Sequence, residues 1–348
     1  YVSARLQALC LPLVACTLCV MSGSASAAID AEGDILLLDD SGKAVSSSAG
    51  DQLWARAAWN GEAYLVVWQD ARSAVDNDIY AARVDASGLV VDPEGIAISA
   101  SAGNQERPDV VWNGTGWLVV WHDFRAGETA DIYAARVDTN GSLIDADGIV
   151  VSNAEFSQMH PRVSWNGTNH FVVWDDGRNG VDSDILGARV ELNGSVLDAS
   201  GITISKEANN QATPAVSWGG TNFLVVWADF RGGSGTSSDI FGARVNSSGA
   251  LQDNRGVSIS GSSDNQSTPD VVWNGTSWMV VWEDFRPANS SDVYGARVAT
   301  NANVQDSSGI AINTASGQQS APSVQWDGAN HFVTWTDGTA IDVYGARI

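Results

Sequence analysis

Between Trp59 and Ile348, one pattern of apolar and polar positions recurs six times. In the copy that starts at Pro108, residues 109–112 form a short β-rich run. Asn113-Gly114 follows it, the dipeptide that most strongly signals a tight hairpin. The next run, WLVVW at 117–121, is apolar at every position. A half-exposed strand would alternate, so this one is predicted to be covered on both faces. Residues 122–130 read as a polar loop, 131–137 (DIYAARV) as a third strand, and the turn at 145–148 leads into a fourth at 149–152. Four strands in about 53 residues, with no helical periodicity, make one blade of a β-propeller.

The first tryptophan of each copy is Trp59, Trp112, Trp165, Trp218, Trp273 or Trp326, at spacings of 53, 53, 53, 55 and 53 residues. A fixed period of this size belongs to an array of supersecondary units, so the expected fold is an all-β, six-bladed propeller with four-stranded blades. A second tryptophan follows nine residues after each first: Trp68, Trp121, Trp174, Trp227, Trp282 and Trp335. Each ring can bury roughly 150–250 Å², and all twelve are expected to pack between blades. In register with the period, Ile348 falls on Val84 and Glu32 on Asp85. The last copy is therefore expected to supply three strands and residues 36–46 the fourth, closing the ring with no open edge.

The first 27 residues have a different character. Arg5 precedes an apolar run over 6–21, and small residues end it at Ala25-Ser26-Ala27, the order of a secretory signal peptide. The expected layout is a signal peptide at 1–27 and a single propeller domain at 28–348, released to the periplasm, the cell surface or the medium. Leu13-Val14-Ala15-Cys16 offers a lipoprotein box as the alternative, but Thr-Leu-Cys-Val-Met follows that cysteine where a polar tether belongs. Cys10, Cys16 and Cys19 all lie in this segment. The remainder has no disulfide, thiolate metal site or cysteine nucleophile, so packing must stabilise it.

The formal net charge is −23, and the lysines are Lys43 and Lys206 alone. Such a surface repels phosphate backbones and anionic lipid, which argues against nucleic-acid binding and membrane insertion. A monomer is expected. No cofactor is expected either; calcium in the aspartate-rich loops is the alternative, although no EF-hand or nonapeptide calcium repeat is present.

The repeat resembles the blade of TolB-like propellers, in which a P-x-W-S-P-D-G turn is followed by an apolar strand and a D-I-Y strand. Here the counterparts read P-x-V-x-W-N-G and D-[IV]-[YFL], over nearly all of residues 28–348. The resemblance implies the blade fold. The N-terminal domain of TolB is absent and W-N-G replaces the family's turn, so TolB's envelope role does not carry over. Secreted bacterial repeats of the W-N-G/D-I-Y-x-A-R type are more similar still and imply no activity.

Residues filled alike in every copy are expected to hold blades together, because a single site must break the symmetry. Asp70, Asp123, Asp176, Asp229, Asp284 and Asp337 sit two positions after the second tryptophan, and Arg72, Arg125, Arg178, Arg231 and Arg286 two positions later. Asp78 and its equivalents open the third strand, with Arg83 and its equivalents five positions on. Carboxylate–guanidinium pairing is expected among them, and six lectin-type sites are the alternative. Gln52, Gln105, Gln158, Gln211, Gln266 and Gln319 are expected to bridge loops. His170 and His331 occupy a slot filled elsewhere by Tyr64, Trp117, Phe223 and Trp278, and read as aromatic packers.

Function is expected where copies differ. The residue five before each first tryptophan runs Trp54, Arg107, His160, Thr213, Thr268, Ala321, and the one after each second tryptophan runs Gln69, His122, Asp175, Ala228, Glu283, Thr336. Both slots fall on one loop-rich face. Blades one to three thus place Trp54, Gln69, Arg107, His122, His160 and Asp175 there, and these form the candidate ligand site. A third unlike slot, with Arg56, Asp109, Arg162 and Asp270, is expected to line the central channel. The reading is a non-catalytic binding propeller for a glycan or protein. One alternative is a glycoside hydrolase or lyase using Asp109 and Asp270 as a carboxylate pair at the channel mouth, and the other a lectin with one site per blade. No metal site is expected, since His122 and His160 lack a third ligand.

Overall fold

A computed structural model of the chain describes residues 43–232, 237–262, 264–286, 290–338 and 342–348. The strands form six antiparallel meanders, five of four strands and, among the described residues, a sixth of three. Blade one consists of Gln52–Trp59, Ala63–Asp70, Asp78–Asp85 and Ile96–Ser99. The first strands of the other blades are Gln105–Trp112, Gln158–Trp165, Gln211–Trp218, Gln266–Trp273 and Gln319–Trp326. All six first strands line one central cavity of about 420 Å³, so the blades surround a channel. No helix occurs among the described residues. The all-β, six-bladed propeller is the observed fold.

The expected leader at 1–27, with its three cysteines, lies outside the described residues, as does most of the expected closing strand at 36–46. Residues 43–46 carry no strand. They nonetheless lie on blade one: Lys43 Nζ donates to the Ser87 carbonyl at 3.3 Å, and Val45 packs on the Ala55/Val66/Trp68/Ala82 cluster. One period later, Ile96 and Ile98 pack on blade two in the corresponding way.

The core lies between blades. Leu65, Val67, Ile79 and Ala81 of blade one pack with Val119, Trp121, Ala135 and Val137 of blade two. Leu118, Val120, Ile132 and Ala134 of blade two face Val172, Trp174, Leu186 and Ala188 of blade three. Alternate residues of WLVVW thus serve opposite neighbours, which is why the strand must be apolar throughout. The second tryptophans are buried in these interfaces. The first tryptophans are not, which corrects the expectation for half of the twelve. Each is half-buried at the end of its first strand and leans on the aromatic slot of its own blade, as Trp59 does on Tyr64 at 4.6 Å and Trp112 on Trp117 at 5.0 Å. Trp59, Trp112 and Trp326 border the channel at its hairpin end.

Two ionic clasps repeat. Asp123 is fully buried, accepts from Trp121 Nε1 at 2.8 Å and pairs with Arg125 Nη2 at 2.7 Å. Arg125 Nη1 goes on to the Asp147 carbonyl at 2.8 Å, tying the third-to-fourth-strand turn to the second strand. In the second clasp Arg136 grips Asp145 through Nε and Nη2 at 2.8 and 2.7 Å and donates to the Leu192 carbonyl of blade three at 3.1 Å. The acid of this pair lies nine residues after the arginine, and it is not the aspartate that opens the third strand. Asp78 and Asp184, expected to share in such pairing, stand in no ion pair among the described residues. Burial first, then the neighbouring aspartates, push both carboxyls up to about 6. The repeated glutamines staple the single loop that precedes them and do not bridge two loops: buried Gln105 donates from Nε2 to the Gly103 and Ser101 carbonyls at 2.6 and 3.1 Å.

Candidate functional site

The candidate face is built on an irregularity common to all blades. In each first strand the register shifts at the unlike slot. The residue there has left-handed φ: Trp54 58°, Arg107 54°, His160 51°, Thr213 50°, Thr268 47° and Ala321 50°. In five of the six a proline follows, which cannot donate to the ladder and so favours a bulge. Left-handed φ costs an L-residue about 1–2 kcal/mol. Because all six blades carry it, the strain belongs to the scaffold and what distinguishes the blades is the side chain.

Across blades one to three these side chains form two adjoining sets of contacts. The Arg107 guanidinium lies over the Trp54 ring, 3.5 Å from its centroid, and Trp54 remains 46% exposed. Gln69 is buried and accepts from the Arg107 backbone N–H at 3.4 Å. His160 Nδ1 bonds Asp175 Oδ1 at 2.8 Å, and its backbone N–H donates to His122 Nδ1 at 3.4 Å. Buried His122 stands edge-on to His160 and Phe124, with ring centroids 5.9 and 5.7 Å apart. Since Nδ1 accepts, Nε2 carries the proton of the neutral ring, and burial holds the His122 pKa below the ordinary histidine value. Nε2 faces Glu106 Oε2 at 3.5 Å without hydrogen-bond alignment. Glu106 Oε1 accepts from Asn77 Nδ2 at 3.0 Å. His122 and Asn77 hold the Glu106 carboxyl below its usual range despite partial burial.

The six candidate residues therefore form two sets of contacts, Trp54–Arg107–Gln69 and His122–His160–Asp175, which adjoin where Glu106, beside His122 and bonded to Asn77, precedes Arg107 in the chain; sequence reasoning missed Glu106 and Asn77. Glu106 fills a slot held elsewhere by Leu53, Met159, Ala212, Ser267 and Ser320. That column is as unlike as the two selected, and the same test would have found it. Blade five contributes Glu283, which accepts from Thr268 Oγ1 at 3.2 Å and Ser267 Oγ at 3.4 Å; burial pushes its carboxyl up. Among the described residues, no group of three or more His, Cys, Asp or Glu is placed to hold a metal ion.

The channel differs from the expectation for its carboxylates. Arg162 reaches both: Nη2 lies 2.7 Å from Asp270 Oδ1 and Nε 3.3 Å from Asp109 Oδ2. Each carboxylate also accepts a backbone N–H of the next blade, Asp109 from Val163 at 2.9 Å and Asp270 from Val324 at 3.0 Å, with Ser323 Oγ on Asp270 at 2.8 Å. Burial alone would raise the Asp270 pKa, but Arg162 and Arg56 hold it below the carboxylate range. An aspartate held ionised by a guanidinium is a poor proton donor, and one shared guanidinium occupies the space between the two. As placed, Asp109 and Asp270 clasp the blades and are not arranged as an acid–base pair around a substrate.

The aspartates and arginines offered as a lectin-type repeat satisfy one another, since Asp70, Asp123, Asp176, Asp229 and Asp284 are buried beneath their arginines. His170 leans on Trp165 at 4.6 Å and bridges the Asn113 amide and the Val190 carbonyl at 3.1 Å each; burial pulls its pKa down to about 4. His331 leans on Trp326 at 4.8 Å. Both are packing residues.

No protein-family model and no curated protein matches the sequence. Solved structures do match in fold. The α-L-arabinanase of Penicillium chrysogenum, complexed with arabinobiose, aligns with a TM-score of 0.57 at 10% identity over 86% of this chain and 98% of that one. The GH93 α-L-arabinofuranosidase of Fusarium graminearum, also with arabinobiose, aligns with a TM-score of 0.59 at 10% identity over 85% and 92%. What this chain shares with them is the propeller. At such identity the likeness concerns the fold alone.

Proposed function

We propose that this chain is a secreted, non-catalytic propeller that binds a glycan on the loop-rich face of blades one to three, as a monomer without a cofactor. The observation that carries the reading is a half-exposed Trp54 lying under the Arg107 guanidinium, with the Gln69–Arg107 and His160–Asp175 hydrogen bonds on the same face. An aromatic face beside fixed polar groups suits a sugar ring, whose C–H face stacks while its hydroxyls are held. Propellers of similar fold in complex with arabinobiose support the choice of a glycan over a protein ligand. The resemblance to TolB-like blades bears on the repeat and adds no role. The non-catalytic reading rests on Arg162 between Asp109 and Asp270.

A glycan array probed with the purified chain, followed by calorimetry, tests this. One ligand per chain is expected, with binding lost in Trp54→Ala/His160→Ala. Six ligands per chain would favour the repeated-site lectin, and sugar release in a hydrolysis screen would overturn the non-catalytic reading.

A further inference from the structure

Most of the described arginines are engaged by a carboxylate. In the clasps each guanidinium meets an aspartate at 2.5–2.9 Å. Arg107 departs from this. It is half-buried, its guanidinium rests on Trp54, and among the described residues no carboxylate comes within ion-pair distance of it. Burial pulls its pKa down, and Glu106 and Asp175, which lie beyond ion-pair distance, offset that desolvation only in part. The nearest carboxylates are engaged elsewhere: Glu106 with Asn77 and beside His122, Asp175 with His160.

A guanidinium kept partly desolvated, beside an open aromatic face and without a close anion, is the donor set for a ligand that brings its own carboxylate. We propose that Arg107 receives the carboxylate of an acidic sugar, a uronic acid residue, whose ring lies against Trp54 and whose hydroxyls meet the His160–Asp175 pair. This rests on the glycan-binding reading and adds the charge of the ligand to it. A uronate satisfies the fork of Arg107 bidentately, which a neutral pentose cannot. The chain's net charge of −23 opposes an anion at long range, but such repulsion is screened beyond roughly 8 Å at physiological salt and leaves the local contact to decide.

Calorimetry on the purified chain with a trigalacturonide, its methyl ester and a neutral arabinotriose tests the proposal. The free acid is expected to bind about 10- to 100-fold tighter than the ester, the usual contribution of a charge-assisted contact. In Arg107→Gln that preference should fall to about threefold or less, while Arg107→Lys should restore only part of it, having the charge without the fork. A chain that binds acid and ester alike, or prefers arabinotriose, overturns the proposal and leaves glycan binding standing. Binding of none of the three overturns this proposal, and a blank glycan array would overturn the reading beneath it as well. A tri-glutamate peptide that binds as tightly as the trigalacturonide would also overturn it, by assigning Arg107 to an acidic peptide. The acid–ester comparison is made on the unaltered chain and so does not depend on how any variant folds.

Discussion

Replacing Arg162 by methionine tests whether the channel is held by charge. The substitution keeps most of the aliphatic stem and removes a guanidinium that touches Asp270 at 2.7 Å and Asp109 at 3.3 Å. Both carboxylates are almost wholly shielded, with side-chain exposures of 7% and 11%. Removing one partner of a buried pair typically costs about 3–5 kcal/mol, because the remaining charge is left uncompensated. Two features place this case at the lower end. Arg162 is itself 21% exposed, so channel water screens the pair, and Arg56 stays behind near both aspartates. Losing Arg162 also relieves its repulsion of Arg56, the largest influence lowering the Arg56 pKa. A loss of about 3 kcal/mol at pH 7.5 is therefore expected from urea unfolding with an unchanged m-value.

The pH dependence distinguishes charge from lost packing. In the native protein the Asp270 pKa is depressed, so its contribution is present above the unfolded carboxylate pKa and fades as the pH falls through the folded one. Without Arg162, desolvation dominates, the folded pKa rises, and protonation becomes stabilising in the variant. The gap between variant and native protein should narrow as the pH is lowered from 7.5 to 4.5. Arg162→Met/Asp270→Asn should recover part of the loss at pH 7.5. A loss below about 1 kcal/mol, or one constant across that pH range, would refute the account.

Gly219→Ala should cost about 1–3 kcal/mol in the same assay, because a Cβ there runs into the Trp278 ring of the next blade, and Trp278→Phe should relieve it. Asp78 and Asp184 have folded pKa values raised to about 6, so their stabilisation is greatest below the unfolded value and lost as pH rises through 6. Asp78→Asn/Asp184→Asn should accordingly melt higher than the native protein at pH 8, and this advantage should shrink at pH 5; a lower melting temperature at pH 8 would contradict it. Trp54→Ala should weaken glycan binding by about tenfold or more while shifting the melting temperature little, since the ring is 46% exposed and its loss opens no core cavity.

What the chain announced in advance was local. Hairpin dipeptides, a fully apolar strand and a constant period depend on neighbours a few residues apart, and the blade and the ring followed from them. The division of labour between the two tryptophans was not legible, because spacing alone does not say that Trp112 meets Trp117 of its own hairpin while Trp121 faces blade one. The partner of Arg136 was hidden for a related reason: Asp145 lies in a turn, where aspartate already has a backbone explanation. Arg162 between Asp109 and Asp270 joins blades three, two and five. Only the arrangement of the blades around one channel brings residues 53 and 108 positions apart to one guanidinium. The candidate face was found by asking where copies differ, and Glu106 escaped only because that question was put to three columns and not to the one immediately before the Trp54/Arg107/His160 column.

The bulge in the first strands sharpens that question. Every blade places a non-glycine residue at a left-handed φ between 47° and 58°, so each carries the same strain whatever its side chain. Blades four to six meet this geometry with Thr213, Thr268 and Ala321, which shows that the backbone asks for nothing large. Folding therefore does not account for Trp54, Arg107 and His160 at the same three-dimensional position in blades one to three. A tryptophan left half open and a guanidinium left without a close carboxylate are costs to the free protein. Such costs are intelligible when a ligand removes them, and binding then draws its affinity from groups the fold has already fixed in place.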